Sequence, residues 1–280
     1  MNPSPSLNVF SDVDQLLAFA FMRSALVAGT IVAVLAAIAG WYMVLRRQSF
    51  AGHTLAVMAF PGATGAALLG VPASIGYYFA CAAAALSISS SRRPRAIGLG
   101  GETATIASVQ AVGLGAGFLF LSLNHSVLGT PETLLFGTFL GITQGQVVTL
   151  LVLALVLLTL FGLIGRPLLF ATLDREGASA KGVPVGLLDI VFLLALGLTI
   201  AAASQITGAL LVFTLLVAPP ASARILTPRP GRALILSVLF GLLVVWLGLA
   251  LAYFSNYPFG FYTSSLAMAI YVLARAKRKR

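Results

Sequence analysis

The chain has 280 residues, of which 59% are hydrophobic and 9% charged, and its mean hydropathy is +1.03. Soluble domains carry roughly 25% charged residues, so this composition excludes a water-soluble fold. A helix that crosses a bilayer needs about 20 apolar residues, which leaves room for at most about ten crossings and for no sizeable soluble domain. The composition therefore predicts a single transmembrane domain over residues 1–280, built as an all-α bundle.

The apolar runs predict nine crossings in chain order, or eight if two of the shorter runs merge. They fall near 22–45, 54–71, 73–90, 103–123, 146–165, 186–203, 207–223, 233–254 and 259–274. A further apolar piece, Leu134–Ile142, is too short to cross and predicts a re-entrant or surface helix. Small residues around Gly62 and Gly113 let helix backbones approach closely, which predicts a tightly packed bundle.

Basic residues give the predicted orientation of the chain. The 17 Lys and Arg residues exceed the 7 Asp and Glu residues, giving a net charge of +10. Sixteen of the 17 cations lie in alternate loops, and short loops rich in cations stay on the cytoplasmic side. This pattern places residues 1–20, with Asp12 and Asp14, outside the cell, and the basic tail 275–280 inside. Because the cations form short groups between apolar runs, they favour membrane topology over nucleic-acid binding.

Several kinds of chemistry are absent from the sequence. No Lys is preceded by Gly and followed by Ser or Thr, so the chain lacks a Walker loop and is not expected to hydrolyse ATP itself. The chain has only two histidines, His53 and His125, and no H-E-x-x-H pair, which excludes a multi-histidine zinc centre and a zinc protease. Cys81 lies in an apolar run and is expected to be buried. We therefore expect no cofactor bound to this chain.

Two further segments carry local signals. Residues 165–186 combine acids, bases and small residues, which predicts a short amphipathic helix that ends at Gly182 and docks into a partner, although an ordinary solvated loop is the alternative. Pro219 and Pro220 lie near the inner end of a span and predict an interrupted helical ladder, a feature tolerated beside protein or a water-filled path.

The order of several motifs resembles a known family. Gly208-Ala209-Leu210 through Pro219 to Arg224 resembles a signature of the membrane permeases of metal-ion ABC importers, the zinc and manganese uptake class. Arg46-Arg47 through Pro61-Gly62 and Leu134 to Gly137 are similar to two more segments of that family, in the same order. The matches extend from about residue 40 to 224.

The resemblance implies a bundle of eight to nine transmembrane helices related to the cobalamin and siderophore type of ABC importer permease. It implies a bacterial cytoplasmic membrane protein that pairs with a second copy of itself, with two cytoplasmic ATP-binding subunits and with an extracytoplasmic metal-binding protein. A divalent metal ion is then the transported substrate. The residues implied to contact the ATPase are Glu176, Gly177, Ala178, Ser179, Ala180, Lys181 and Gly182.

The sequence departs from the family pattern at the expected metal ligands. The family has an Asp followed four residues later by a His, an i, i+4 pair that suits one cation, whereas this chain has His53 and Val57. His53 is therefore the candidate metal ligand, and a contact at the helix start or with the loop is the alternative. If His53 contacts metal, paired imidazoles across a dimer axis favour zinc over manganese. Met58 is expected to serve packing, Glu102 to open a helix, His125 to face solvent, and Asp189 to pair with an Arg or Lys.

An ion-gradient-driven secondary transporter is the main alternative. It predicts inverted repeats and several acids within the spans, whereas no convincing repeat is present and only Asp189 lies clearly within a span. A structural or assembly protein without transport activity is a third interpretation, favoured only by the incomplete ligand pair.

Overall fold

The computed structural model describes residues 15, 18–90, 101–124, 141–208, 211–255 and 257–278. These residues form ten α-helices. In chain order they are α1 (Ala20–Leu45), α2 (Ser49–Leu68), α3 (Ala73–Ser90), α4 (Gly101–Leu123), α5 (Gln144–Leu173), α6 (Arg175–Ala180), α7 (Val185–Thr207), α8 (Val212–Leu226), α9 (Pro230–Tyr253) and α10 (Phe259–Arg278).

The prediction of an all-helical membrane protein is confirmed. In the described part of the chain, six helices are long and apolar enough to cross a bilayer, namely α1, α3, α4, α5, α7 and α9. Of the other long helices, α8 has 15 residues and α10 ends in three cations. These lengths and compositions do not confirm a count of eight or nine crossings. The predicted short helix at 134–142 and the segment 1–14 fall almost wholly outside the described residues.

The nine longer helices coincide with the nine predicted apolar runs, with one clear difference in length. Arg166 and Pro167 suggest that the fifth run ends near residue 165, whereas α5 continues to Leu173. It continues because Leu168 and Ala171 are buried in the bundle, so tertiary packing outweighs the local cost of Pro167.

Helices α1 and α7 form the centre of the bundle. In the most apolar 18-residue stretch of each helix, 61% of the residues are buried in α1 and 67% in α7. The corresponding shares are only 11% in α4 and 22% in α5. The outer helices instead expose large apolar side chains such as Val112, Leu155 and Leu163. Helices α4 and α5 therefore lie at the periphery of the bundle, where their apolar surface is available to lipid or to another chain.

Small residues allow α2 and α3 to cross at close range, as the sequence predicts. A Cβ atom on Gly62 of α2 would overlap the carbonyl oxygen of Gly76 on α3, and a Cβ on Gly76 would overlap that of Gly62. The two backbones are therefore in direct contact. Gly113 and Gly117 of α4 face side chains of α2 in the same way, whereas Gly115 faces open space.

Candidate metal site and coupling segment

A tight turn positions the candidate ligand His53. The backbone N–H of Gln48 donates to Met43 O at 2.9 Å, and that of Arg47 donates to Val44 O at 3.2 Å. Arg47 itself adopts a φ of 57°, so the chain reverses within three residues between α1 and α2. His53 then lies in the second turn of α2.

The His53 ring is half-buried at the junction of α2 and α8. Its ring centroid lies 5.0 Å from that of Phe213, with the planes 68° apart. Val57, one helical turn further along α2, is also half-buried and supplies no ligand atom from its side chain. The other predicted neighbour, Met58, is buried with its thioether against Gly113, as expected for packing. His53 can therefore offer one imidazole nitrogen here.

No complete metal site is visible around this imidazole. Across the described residues, no three His, Cys, Asp or Glu side chains cluster closely enough to hold an ion. A polar pair does lie beside His53, because the hydroxyl of Thr54 donates to Gln110 Oε1 at 2.8 Å and links α2 to α4. The described His, Cys, Asp and Glu side chains therefore do not complete a metal site around His53.

The predicted short helix is present as α6 and is capped at both ends. At its start, a carboxylate oxygen of Asp174 accepts the backbone N–H of Gly177 at 2.8 Å. At its end, Gly182 adopts a φ of +79°, the left-handed conformation that its position predicts. Gly182 N donates to Ser179 O and Val183 N donates to Ala178 O, both at 3.0 Å, which is the Schellman arrangement.

Asp189 joins α6 to the centre of the bundle. Its two carboxylate oxygens accept separate hydrogen bonds, one from Arg46 Nη2 and one, at 2.8 Å, from Arg175 Nη2. Arg46 also donates to the hydroxyl of Thr172 at 3.2 Å, and its guanidinium carbon lies 5.2 Å from the centre of the Phe192 ring. The expectation that Asp189 pairs with a cation is confirmed. We call Arg46, Thr172, Arg175 and Asp189 the charged node.

The sequence predicted one member of the charged node, Asp189, but not its partners. Asp189 stands out as an acid inside a span, but nothing local identifies Arg46 and Arg175 as its partners. The basic pair at the end of the first span, Arg46-Arg47, is the one signal that could have suggested Arg46. The node brings together the ends of α1 and α5 and the starts of α6 and α7 at one end of the bundle.

The paired prolines do not end the helix that contains them. Helix α8 continues through Pro219 and Pro220 to Leu226. Its hydrogen-bond ladder is interrupted there, as predicted, because neither proline has an N–H to donate. Pro220 has no N–H for the carbonyl of Leu216 four residues earlier. That carbonyl faces α1, where a Cβ on Gly40 would overlap its oxygen. Close packing against α1 holds this part of α8 in a helical conformation.

The remaining candidates lie away from these features. Glu102 lies in the first turn of α4, where its charge suits the helix N-terminus. Cys81 is fully buried, as predicted, and its thiol lies 3.4 Å from Leu55 O. His125 lies outside the described residues.

Comparisons with known proteins agree with this architecture. A model of the ABC 3 transport family matches residues 18–278. The chain is 30% identical over 234 residues to the chelated iron transport system membrane protein YfeC of Yersinia pestis, covering 84% of this chain and 78% of that protein. It is 30% identical over 248 residues to the manganese transport system membrane protein MntC of Halalkalibacterium halodurans, covering 86% and 81%.

A solved structure shares the fold. The structure of PsaBC from Streptococcus pneumoniae in complex with Fab aligns with a TM-score of 0.83 and 24% identity, over 95% of this chain and 95% of that chain. At this identity the match shows that the two chains have the same helical architecture.

Proposed function

The chain belongs to the ABC 3 transport family, and on this premise we propose that it is the permease subunit of an ATP-binding-cassette importer for a divalent metal ion. The family match over residues 18–278 is the observation that carries this proposal. The names of relatives that transport manganese and chelated iron support a metal substrate. The family match does not favour an ion-gradient-driven secondary transporter.

The proposed topology has nine crossings, with α2, α8 and α10 added to the six apolar helices. Each of these three helices packs within the bundle, and the chain then alternates direction so that the ends of α1, α5, α8 and α10 share one side. The cations that follow these helices support a cytoplasmic location for that side. Residues 1–20 would then lie outside a bacterial cytoplasmic membrane, and residues 275–280 inside.

The proposed complex contains two copies of this chain, two ATP-binding subunits that hydrolyse ATP, and an extracytoplasmic protein that delivers the metal. The exposed residues of the segment 176–182 would contact the ATP-binding subunit, whereas Ala178 is buried and packs α6 against the bundle. Two caps give α6 a defined shape for such a contact, and its exposed Glu176 and Lys181 provide charges of both signs for recognition.

In the proposed mechanism, nucleotide binding biases the permease between outward-open and inward-open arrangements, and the ion passes His53 at the junction of α2 and α8. Weak contact suffices, since an ion that binds tightly in the path would not leave. Imidazole in place of the family's carboxylate favours zinc among the divalent ions, whereas the relatives' names favour manganese or iron. Direct competition between these ions resolves the selectivity.

Uptake by reconstituted vesicles tests this function. The permease, ATP-binding subunits and binding protein should accumulate zinc, manganese or iron only when ATP is present on the cytoplasmic side. Uptake without ATP that follows an imposed ion gradient would instead establish the secondary-transporter mechanism.

Substitution of His53 tests its place in the path. His53→Ala should lower metal uptake about tenfold or more, the effect of losing one ligand contact worth about 1.4 kcal/mol, while the complex still assembles. His53→Asp is the matched variant and should retain uptake with a preference shifted toward manganese, because a carboxylate is the harder ligand. Unchanged uptake and ion preference in both variants would remove His53 from the path.

A further inference from the structure

Within the charged node, Asp189 has two partners in very different surroundings. The side chains of Asp189 and Arg46 are 6% and 5% exposed, so their ion pair is enclosed by the bundle. The Arg175 side chain is 60% exposed and reaches the other carboxylate oxygen of Asp189 from α6. One carboxylate is therefore shared between a buried cation of the membrane helices and a solvent-exposed cation of the short helix.

This difference in exposure indicates that the Arg46–Asp189 contact is permanent and that the Arg175–Asp189 contact can open. Breaking the buried pair would leave an uncompensated charge in the bundle, which is strongly unfavourable. An exposed ion pair contributes little to stability because water solvates both partners when they part. In the described part of the chain, a cavity of about 770 Å³ borders Arg175, Ser179 and Asp189, so the Arg175 side chain has space to move. Loss of the Arg175 contact leaves Asp189 still neutralised by Arg46.

The contact also constrains how α6 moves relative to the spans. Helix α6 is joined to α5 through Asp174 and to α7 through residues 181–184, and its one buried side chain, Ala178, packs in the core. These attachments involve no charged group of α7. The Arg175–Asp189 pair adds an ionic attachment, directly to the first turns of α7. Through Arg46 and its bond to Thr172, that attachment continues to α1 and α5.

We propose that Asp189 is the positioning residue through which movement of α6 is transmitted to α1, α5 and α7, and that the Arg175–Asp189 contact is the link that opens and closes during transport. This inference rests on the proposed function, because it takes α6 to be the helix that the ATP-binding subunit moves. Asp189 contacts no substrate, and its role is exerted through the two arginines.

The test uses the exposed partner, since replacement of Asp189 itself could prevent folding. Arg175→Ala is compared with Arg175→Lys, which keeps the charge, and with Arg232→Ala, which removes an exposed cation from the start of α9. Manganese uptake and ATP hydrolysis are measured in the same vesicles, with the complete complex, after assembly has been checked by size-exclusion chromatography.

We expect Arg175→Ala to retain ATP hydrolysis, while the amount of manganese transported per ATP hydrolysed falls. The fall should be about fivefold or more, because fivefold is about the lower end of typical coupling between two sites. Arg175→Lys should restore part of the ratio, and Arg232→Ala should leave it unchanged. An unchanged ratio in Arg175→Ala, or an equal fall in Arg232→Ala, would overturn the inference. Absence of ATP-driven uptake in the wild-type complex would instead overturn the proposed function, and the inference with it.

Discussion

At the scale of single residues, Gly40 shows how a missing side chain determines the contact between two helices. The carbonyl of Leu216 lacks its usual donor because residue 220 is proline, and Gly40 is the residue of α1 that lies against it. Any side chain at position 40 would push α8 away from α1. The position therefore sets the distance between these core helices.

Gly40→Ala should destabilise the protein, because its Cβ would meet a backbone atom that cannot rotate away. Overpacking of this kind costs about 1–3 kcal/mol, and the melting temperature in detergent should fall correspondingly. Gly162→Ala, at a helical position with open space, is the matched control and should leave the melting temperature unchanged or slightly higher. Equal melting temperatures for the two variants would show that α8 moves away from α1 without cost.

Predictions for single residues succeeded where the neighbouring sequence determines burial. They failed where a residue pairs with a partner far away in the sequence. The role of His53 as a metal ligand stays a prediction. The burial of Cys81 could be identified, because the residues around it in the sequence are apolar. The partners of Asp189 could not, since Arg46 is 143 positions away and every loop on that side contains candidate cations. Spatial proximity of this kind follows from the packing of whole helices, which one sequence does not specify.

At the scale of elements, α6 is stabilised mainly by its ends. A helix of six residues has few internal hydrogen bonds, so the bonds made by Asp174, Gly182 and Val183 form a large share of its total. The left-handed conformation of Gly182 is the condition for the final two bonds.

Gly182→Ala should loosen the end of α6, because a left-handed conformation costs an L-residue roughly 1–2 kcal/mol. Hydrogen–deuterium exchange of the Val183 amide should then become about tenfold faster or more, and uptake should decline if α6 contacts the ATPase. Gly186→Ala, in the first turn of α7, makes the same chemical change at a position with open space and should leave exchange unchanged. Similar exchange in both variants would argue that the Schellman bonds do not hold α6.

Helix positions were predictable where glycine, proline or charge marks their ends, as at 73–90 and 259 onward. The clear error falls where burial competes with these signals. Helix α5 continues past Arg166-Pro167 because its last turns are buried in the bundle. Helix α8 includes Pro219-Pro220, as the predicted run 207–223 does, and it packs closely against α1 there. Local sequence reports the cost of a proline but not the packing that compensates for it.

At the scale of the whole molecule, orientation depends on charge, and the single cysteine makes it testable. Cys81 is the single cysteine of the chain and is buried. In a Cys81→Ala background, an introduced cysteine is therefore the only thiol that can react. Under the proposed nine crossings, Tyr257 and Arg229, which are both exposed, would lie on opposite sides of the membrane.

We expect Tyr257→Cys to react with a membrane-impermeant maleimide in intact cells, and Arg229→Cys to react only after permeabilisation. This outcome follows if the cation-rich ends face the cytoplasm. Labelling of both positions from the same side would contradict the proposed nine crossings, and reversed labelling would contradict the proposed orientation.

The length of α5 adds a physical property that the charges do not reveal. Its 30 residues span about 45 Å, whereas the hydrocarbon core is about 30 Å thick. The helix therefore either tilts or projects from the bilayer, and only Asp174 separates its end from α6. A change in lipid chain length would alter that tilt or that projection, so the thickness of the surrounding membrane affects how far α6 stands from the bilayer surface.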